Sequence, residues 1–309
     1  MKKRIIVTGG AGFVASHLVD AYLKAGHSVA VIDNLSSGFR RNLNPKARFY
    51  KNDILDRAAM DRIFKKERPE LVSHYAAVVE VVKSLRDPIP SLDANLIGTA
   101  NVLLAFANHG RGKEKRRFIF ASSCASYGTP KHIPVKETDP KVPESAYGLS
   151  KLLDESIIEF FARHYGFTYV IFRYPNIYGP RQNPKGEAGV TAIFGDLMKN
   201  GKQPIIFGDG TKGRDYIYVD DVVRANMAGF VKGDNVIMNL GTGKVTTDQM
   251  IFDSIAAATG YKGKPVYAPY RRGEAYRISM DTKLVRRILG WKPTMPFKKG
   301  IAKTIEALP

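Results

Sequence analysis

Short apolar runs alternate with amphipathic stretches along the first half of the chain. The runs that predict strands lie at residues 4–8, 28–33, 48–52, 71–75, 117–122 and 169–173. After the first run, apolar residues at one helical face predict a helix from Phe13 to Lys24, which Gly26 ends. Strands that alternate with helices in this way predict βαβ units and a doubly wound parallel α/β sheet.

The pattern changes after residue 175, where Pro and Gly cluster between residues 179 and 189. We therefore expect a main domain of residues 1–175 and a smaller C-terminal α/β substrate domain of residues 176–309. The apolar run at residues 236–240, followed by Gly241-Thr242-Gly243, predicts a strand that returns to the main sheet. The return segment is expected to span residues 215–243.

The composition is that of a folded protein, with 44% hydrophobic and 25% charged residues. The N-terminal apolar run stops at Thr8-Gly9-Gly10, which is too short for a signal-peptide core or a membrane span. Cys124 is the single cysteine, so an intramolecular disulfide and a cysteine-based zinc site are excluded. We expect a cytoplasmic protein with no membrane segment and no bound metal.

A glycine-rich loop follows the first predicted strand. Gly9, Gly12 and Ala15 are three residues apart, and a helix begins at once. Glycine allows the tight turn and the close approach of a pyrophosphate to the helix N-terminus, and a small third residue allows close packing. The second predicted strand ends in Asp33, whose carboxylate is suited to the ribose hydroxyls. This pattern predicts a Rossmann-type NAD site.

Two further features bear on the choice of cofactor. Asp33 would repel the 2′-phosphate of NADP, but Arg40 and Arg41 would meet that phosphate if their loop folded back, so NADP stays an alternative. Asp53 follows the third predicted strand and is placed to meet the adenine edge. A polar residue at a strand end would have the same position without that role.

A second group of residues predicts proton-transfer chemistry. The fifth predicted strand runs into Ser123, and Tyr147 and Lys151 follow four residues apart, which places both on one face of a helix. A tyrosine near its ordinary pKa of about 10 is a poor base, and we expect Lys151 and a positive nicotinamide to lower that pKa. Ser123 would hydrogen-bond the same reacting hydroxyl. Cys124 has no neighbouring His in sequence and is interpreted as a buried thiol.

With these motifs, the chain resembles the extended short-chain dehydrogenase/reductase superfamily, and within it the UDP-glucose 4-epimerases (UDP-galactose 4-epimerases). The resemblance covers essentially the whole length. Beside the glycine loop and the Tyr147 and Lys151 pair, it rests on motifs at residues 33–38, 74–77, 95–99, 173–181, 207–210 and 214–216.

The resemblance implies a reaction and a set of site residues. Tyr147 would remove the proton of the sugar 4-hydroxyl while a hydride passes to tightly held NAD, and the 4-keto sugar would turn over before reduction on its other face. Besides Gly9, Gly12, Asp33, Tyr147 and Lys151, the implied cofactor contacts are Phe13, Val14, Asn34, Ser36, Ser37, Gly38, Asp53, Ile54, Tyr75, Ala76, Ala77, Asn95 and Tyr174. The implied substrate contacts are Ser123, Tyr147, Asn176, Val190, Arg214, Arg271 and Glu274.

Differences from related families decide the reaction type. Dehydratases and decarboxylating synthases of this superfamily carry an acidic residue before the strand-end Tyr-Gly, where this chain has Ala125-Ser126. The absence of this acidic residue favours epimerisation. Ala15, Ser126 and the segment Val78-Val79-Glu80 also depart from the usual epimerase pattern. Epimerisation of a UDP-N-acetylhexosamine or UDP-uronate, and reduction of a keto sugar, are the alternatives within this chemistry.

The charge and the assembly complete the picture. There are 48 Lys and Arg against 29 Asp and Glu, a formal net charge of +19, which raises nucleic acid as a partner. The densest basic run, residues 111–117, lies in a predicted loop and is interpreted as solvated surface. Nucleic-acid binding is thus a remote alternative. The resemblance implies a homodimer, paired through helices near residues 91–108 and 151–164.

Overall fold

A parallel sheet forms the centre of the molecule. The computed structural model describes residues 2–79, 81–112, 116–185, 189–270 and 275–308. Seven strands of this part build the sheet: β1 (Arg4–Thr8), β2 (Ser28–Ile32), β3 (Arg48–Tyr50), β4 (Leu71–His74), β5 (Arg117–Ser123), β6 (Thr168–Tyr174) and β11 (Val236–Asn239). Their order is β11-β6-β5-β4-β1-β2-β3, and every pair is parallel. The predicted doubly wound sheet is confirmed.

Helices cover both faces of this sheet. The helices of the described residues are α1 (Phe13–Lys24), α2 (Arg57–Glu67), α3 (Val81–Arg86), α4 (Ile89–Leu92), α5 (Gly98–His109), α6 (Ala146–Tyr165), α7 (Val190–Lys199), α8 (Val219–Gly229), α9 (Asp248–Thr259), α10 (Lys283–Leu289) and α11 (Phe297–Glu306). α1 and α8 contribute to the core on one face, and α2, α5 and α6 to the core on the other. Because both faces are covered, the central strands are almost continuously apolar rather than alternating.

The second half of the chain adds short strands and another core. These strands are β7 (Asn176–Tyr178), β8 (Ile205–Phe207), β9 (Gly213–Arg214), β10 (Tyr216–Tyr218), β12 (Thr246–Thr247) and β13 (Val266–Ala268), which pair two by two. A third apolar cluster packs α7, α9 and α11 around Tyr178 and Tyr218. The predicted return strand is present as β11, which pairs with β6. The division into domains at residue 175 stays a prediction.

One helical stretch, Ile89–His109, is long and apolar enough to cross a membrane by length and composition alone. It consists of α4, a π-helical turn at Asp93–Ile97, and α5. α5 packs against α2 and α6, and Val102, Leu103 and Phe106 are fully buried. These contacts are those of a helix that packs in a protein core.

The basic run at residues 111–117 is not simply solvated surface, as the sequence predicted. Arg116 is 3% exposed and donates to the carbonyl oxygens of Phe106, Ala107 and Tyr165 at 2.8–3.0 Å. It thereby ties together the C-terminal ends of α5 and α6, where a cation is favoured by the helix dipole. Arg117 donates to the carbonyl oxygens of Gly229, the last residue of α8, and of Lys232 after it, and pairs with Asp234.

Candidate active site

Gly9 begins the loop at the end of β1 with a φ of 71°, a left-handed conformation that favours glycine. A Cβ atom there would lie 2.7 Å from the backbone nitrogen of Ala76, in the segment after β4. The loop after β1 and the segment after β4 are therefore in close backbone contact. They meet between β1 and β4, where the winding of the sheet reverses and where open α/β sheets bind ligands.

Gly12 is the N-cap of α1. It has no side chain to cap the helix, and the first turn carries no acidic residue. The first-turn N–H groups and the positive end of the helix dipole are therefore available to a pyrophosphate. Ala15 is 2% exposed and packs in the sheet core, so this departure keeps the close helix packing. Phe13 and Val14 belong to the same turn. Phe13 packs against the apolar cluster of α7, α9 and α11, and Val14 packs against the core of the central sheet.

Asp33 follows β2, and both of its carboxylate oxygens accept backbone hydrogen bonds. Oδ2 accepts from the N–H of Ala11 at 2.9 Å, and Oδ1 accepts from the N–H of Leu35 at 2.7 Å. These bonds hold the carboxylate beside the glycine loop, and each oxygen keeps a lone pair for a ligand hydroxyl. A Cβ on Gly38 would lie 2.9 Å from the Ala11 backbone, so this glycine lets the next loop close over the first.

Arg40 and Arg41, the reason to keep NADP as an alternative cofactor, both lie against aromatic rings. The guanidinium carbon of Arg41 lies 4.4 Å from the centre of the Phe39 ring, and that of Arg40 lies 6.0 Å from the centre of the Phe49 ring. Such contacts stabilise a cation without any phosphate. The anion at the ribose position is Asp33, which favours NAD.

Asn34 and Asp53 join the loops after β2 and β3. The amide nitrogen of Asn34 donates to Asp53 Oδ2 at 2.8 Å, and the N–H of Leu55 donates to Asp53 Oδ1 at 2.9 Å. Asp53 thus orders the turn at its own strand end, while its oxygens keep further lone pairs. Ser36 and Ser37, also predicted to bind the cofactor, are exposed on the adjoining loop.

Two residues predicted to contact the cofactor have side chains inside the core. Ile54 is 6% exposed and packs on Gly98, where a Cβ would lie 2.5 Å from the Ile54 Cδ1 atom. Tyr174 is 4% exposed, and its hydroxyl lies 2.6 Å from that of Tyr75 and accepts from Asn226 at 2.8 Å. Packing and hydrogen bonds engage both side chains, and the contact of Ile54 and Tyr174 with the cofactor stays a prediction.

Tyr75 shares that buried network and closes it by donating to Asn226 Oδ1 at 2.8 Å. Burial, together with the neighbouring Tyr174, raises the Tyr75 pKa well above its usual value. Its hydroxyl is therefore neutral. The network fixes the start of the segment after β4, in which Ala77 is half-buried.

Asn95 lies in the π-helical turn and is fully buried. Its Oδ1 accepts from the N–H of Val78 at 2.8 Å, and its amide nitrogen donates to the carbonyl of Val78 and to Ser150 Oγ at 3.1 and 2.8 Å. Asn95 therefore anchors the segment after β4 to α6, and its contact with the cofactor stays a prediction. Glu80 of the atypical segment lies outside the described residues.

His74 is a site residue that the sequence presented only as part of a motif. It is fully buried, with Nδ1 2.6 Å from Thr8 Oγ1 and Nε2 2.9 Å from Thr99 Oγ1. Burial, with a smaller effect of the Lys151 charge, lowers the His74 pKa to about 3, so the ring is neutral. The signal in the sequence was a polar residue closing an apolar strand at the sheet edge that binds ligands.

Tyr147 and Lys151 lie on α6, as their spacing predicted. Ser145 caps this helix by accepting from the N–H of Gly148 at 3.0 Å. A Cβ on Gly148 would lie only 2.5 Å from the carbonyl oxygen of Ala125, so glycine lets the helix start press against the turn Cys124–Tyr127. That turn follows Ser123, whose side chain lowers the pKa of Tyr147.

The expected lowering of the Tyr147 pKa is not supplied by the chain alone. Burial raises the Tyr147 pKa to about 12, Ser123 opposes this by hydrogen bonding, and the charges of Cys124 and Asp154 add to the rise. Burial also lowers the pKa of Lys151, which is 3% exposed and lies with its Nζ 4.5 Å from the centre of the Phe120 ring. The prediction missed this desolvation.

The candidate substrate residues come from the C-terminal half. Asn176 begins β7 and donates its N–H to the carbonyl of Asp215 at 3.1 Å, and Val190 begins α7. Arg214 Nη1 donates to the carbonyls of Gly213 and Tyr276 at 3.0 Å each. Its charge also acts on Cys124, which places it near the serine turn. Arg271 and Glu274 lie outside the described residues.

A buried ion pair joins α6 to the central sheet. Arg173 binds Glu155 through two nitrogens, at 2.9 and 2.6 Å, and Ser122 donates to the same carboxylate at 2.5 Å. Arg173 also donates to the hydroxyl of Tyr127 at 2.7 Å. Such bidentate pairs fix geometry as well as charge. The strand that carries Ser123 and the helix that carries Tyr147 are thus locked together.

Comparison with known proteins agrees with this geometry. The family described as the NAD-dependent epimerase/dehydratase family matches residues 5–241. UDP-glucose 4-epimerase of Mycolicibacterium smegmatis is 38% identical over 98% of this chain and 97% of that protein.

Two solved structures have the same fold. UDP-glucose 4-epimerase of Thermotoga maritima with UDP-glucose is 45% identical, with a TM-score of 0.95 over 98% of this chain and 97% of that chain. UDP-glucose 4-epimerase of Thermus thermophilus with NAD is 36% identical, with a TM-score of 0.92 over 98% of both chains. With the glycine loop, Asp33 and the Tyr147 and Lys151 pair in one fold, the chain belongs to the NAD-dependent epimerase/dehydratase family.

Proposed function

We propose that the protein interconverts UDP-galactose and UDP-glucose by epimerisation at carbon 4 of the sugar. One observation carries this proposal: the start of α6, which bears Tyr147, presses against the turn after Ser123 at the sheet edge that also bears the dinucleotide loop. His74 connects the two parts, because it bonds Thr8 at the start of the glycine loop and is influenced by the charge of Lys151. The similar proteins named as UDP-glucose 4-epimerases support the same reaction.

The residues present fit an NAD molecule. The uncapped first turn of α1 would hold the pyrophosphate, and the Asp33 carboxylate would bind the adenosine ribose. The loops that carry Asn34 and Asp53 would border the adenine. When bound, NAD supplies a reversible hydride acceptor for carbon 4.

Tyr147 is the proposed general base. Its phenol would take the proton of the sugar 4-hydroxyl, with Ser123 holding that hydroxyl through its own hydrogen bond. Because burial keeps the Tyr147 pKa near 12, deprotonation requires cations nearby. Lys151, one helical turn further on, is the cation that the chain itself supplies. A 4-keto sugar that turns over between the two half-reactions would account for inversion at carbon 4.

Substrate recognition is proposed for residues of the second half. Arg214 would bind the diphosphate, since a guanidinium offers paired donors to phosphate oxygens. Asn176 and Val190 would border the same site, and Arg271 and Glu274 are proposed to bind the nucleotide on the basis of the family resemblance. At the position where elimination needs an acid, Ser126 donates its hydroxyl to the carbonyl of Ser123 at 2.9 Å. This arrangement favours epimerisation over dehydration.

Incubation of the purified protein with UDP-galactose tests the function. We expect UDP-glucose to form until equilibrium is reached, measured by chromatography of the nucleotide sugars, with no net rise of NADH absorbance at 340 nm. Parallel incubations with UDP-N-acetylgalactosamine and UDP-galacturonate would show whether carbon 2 or carbon 6 substituents are accepted. If either of these sugars is converted faster, it is the preferred substrate in place of UDP-galactose. If none of the three nucleotide sugars is converted, the proposal is contradicted.

A homodimer in the cytoplasm is part of the same proposal. α6 carries a row of exposed apolar side chains, Leu149, Leu153 and Phe160, which are 39–52% exposed. Ile89 and Ile97, on the neighbouring helical stretch, are also more than half exposed, at 56% and 54%. Apolar rows on two adjacent helices fit burial against a second copy in a four-helix interface.

A further inference from the structure

Asp154 is a buried acid that the proposed reaction does not use. It lies on α6, three residues after Lys151 and seven after Tyr147, and therefore on the same helix face. Its surface is fully buried, and neither carboxylate oxygen has a hydrogen-bond partner of standard geometry among the described residues. A carboxyl group left in this state is costly unless it serves another group.

A chain of polar groups links Asp154 to the dinucleotide loop. Thr8 Oγ1 accepts from the N–H groups of Tyr75 and Ala76, both at 3.2 Å, so its own proton is directed to His74 Nδ1. His74 Nε2–H then donates to Thr99 Oγ1 at 2.9 Å. The Thr99 hydroxyl accepts this bond, so its own proton is available to Asp154. The Thr99 side chain accordingly lowers the pKa of Asp154.

The charges around Asp154 come from three elements. On α6 it faces the ammonium of Lys151 and the carboxylate of Glu155, and Glu155 is already neutralised by Arg173 of β6. On β4 the nearest titratable group is His74, which is neutral. Lys151 is therefore the cation that remains for Asp154, and Asp154 is the anion that favours the charged form of Lys151.

We propose that Asp154 is a positioning residue for the reaction: its buried carboxylate is the counter-charge of Lys151 and sets the pH range in which Tyr147 acts. This inference rests on the proposed function of Tyr147 and Lys151. Removing one negative charge lowers the proton affinity of every nearby group. Without Asp154, Lys151 loses its proton at lower pH, and Tyr147 becomes a base at lower pH, so the whole activity profile moves toward acid.

The pH dependence of kcat for UDP-galactose, measured with NAD-saturated enzyme, tests this role. We expect Asp154→Asn to shift both limbs of the profile to lower pH by about one unit, with an activity loss of about tenfold at the alkaline end. Asp154→Glu, which keeps the carboxylate, is expected to restore the wild-type limbs. Glu159→Gln removes the same charge from an exposed position of α6 and is expected to leave the profile unchanged.

A uniform fall of kcat at every pH, with unshifted limbs, would show a purely structural role and overturn the proposal. Should Asp154→Asn fail to fold, Asp154→Leu is a second neutral variant with the same expected shift. If the wild type turns over no UDP-sugar, the proposed function fails. A double-mutant cycle of Asp154→Asn and Lys151→Met, followed by unfolding at several pH values, would then still decide whether Asp154 pairs with Lys151.

Discussion

At the scale of single residues, burial controls the chemistry of the site. Tyr147, Lys151 and Asp154 lie on one face of α6 within about two turns, and desolvation shifts each pKa in the direction that favours the neutral form. A phenol raised to about pKa 12 is a weak acid, so the surroundings must favour its anion by several kcal/mol for proton transfer near neutral pH, since each pKa unit corresponds to about 1.4 kcal/mol. The charges that reach Tyr147 therefore decide whether it can act.

The buried carboxylate of Asp154 also predicts a dependence of stability on pH. Its pKa is raised above the ordinary value of 3.8 by burial, so the folded state holds this proton more tightly than the unfolded chain. The resulting stabilisation is fully present below pH 3.8 and is lost as the pH rises through the raised value. We expect wild type to lose at least about 1 kcal/mol relative to Asp154→Asn between pH 4 and pH 8.

Urea unfolding at a series of pH values measures this difference. The Asp154→Asn side chain is neutral at every pH, so this variant lacks the pH-dependent contribution of Asp154 to stability. Glu159→Gln should follow the wild-type curve. If the wild-type and Asp154→Asn curves run parallel from pH 4 to pH 8, the folded and unfolded states bind the Asp154 proton equally, and the raised pKa assigned to Asp154 is wrong.

At the scale of elements, the position of α6 decides where the base lies. The helix start is pressed against the turn after β5 at Gly148, and the Arg173 and Glu155 pair holds the helix to the sheet. Together these contacts fix Tyr147 against Ser123. The contacts depend on one missing Cβ atom and on one bidentate ion pair.

Gly148→Ala is expected to push the start of α6 away from the turn. The added Cβ would lie 2.5 Å from the Ala125 carbonyl oxygen, which costs about 1–3 kcal/mol of stability as overpacking. We expect kcat to fall at least about tenfold, because small displacements of a catalytic group cost large factors in rate. Thermal unfolding and steady-state kinetics measure the two effects.

Gly166→Ala is the matched control at the other end of the same helix. Gly166 has a φ of 68° and open space around a Cβ, so alanine there costs about 1–2 kcal/mol through backbone strain alone. Its kcat should remain near the wild-type value. Equal effects of both variants on kcat would mean that helix stability, and not the contact at Gly148, governs the rate.

Much of this element scale could be predicted from the sequence, because local patterns determine it. The helix from Phe13 to Lys24 and the strand at residues 4–8 have their predicted bounds. The turn at Gly9 and the carboxylate of Asp33 follow from spacing alone. The π-helical turn at Asn95 could not be predicted, since it depends on contacts with Val78 and Ser150 that are distant in sequence.

The same distinction applies to the site. Spacing placed Tyr147 and Lys151 on one face, but burial is a tertiary property, so the raised Tyr147 pKa and the polar chain through His74 were not predicted. The surroundings of the Ile54 and Tyr174 side chains were not predicted either. Both belong to motifs near the cofactor loop, yet their side chains are taken up by core packing and hydrogen bonds.

At the scale of the whole molecule, the net charge of +19 does not identify a nucleic-acid site. Of the densest basic run, Arg116 and Arg117 bind carbonyl oxygens at helix ends and an acidic side chain. These two arginines stabilise the fold, whereas binding of a polyanion would need cations exposed at the surface. The exposed apolar rows on α6 and its neighbour are the stronger indication of a partner, and the partner that we propose is a second copy.

Leu153→Glu tests the dimer. Leu153 is 39% exposed in the middle of the α6 row, and a charge buried there in both copies would oppose association. We expect light scattering at micromolar concentration to show a dimer for wild type and a monomer for the variant. Lys66→Glu, on an exposed site of α2, is a charge control expected to stay dimeric. A monomeric wild type would contradict the assembly.

The central claim is that the Tyr147 phenol performs the proton transfer, and Tyr147→Phe tests it most directly. The measurement is kcat for UDP-galactose conversion, with bound NAD and thermal unfolding determined on the same preparation. We expect kcat to fall about 10²–10⁴-fold, the usual contribution of a general base, while NAD content and stability stay near wild type. A variant that binds NAD and retains activity within a few-fold of wild type would contradict the assignment.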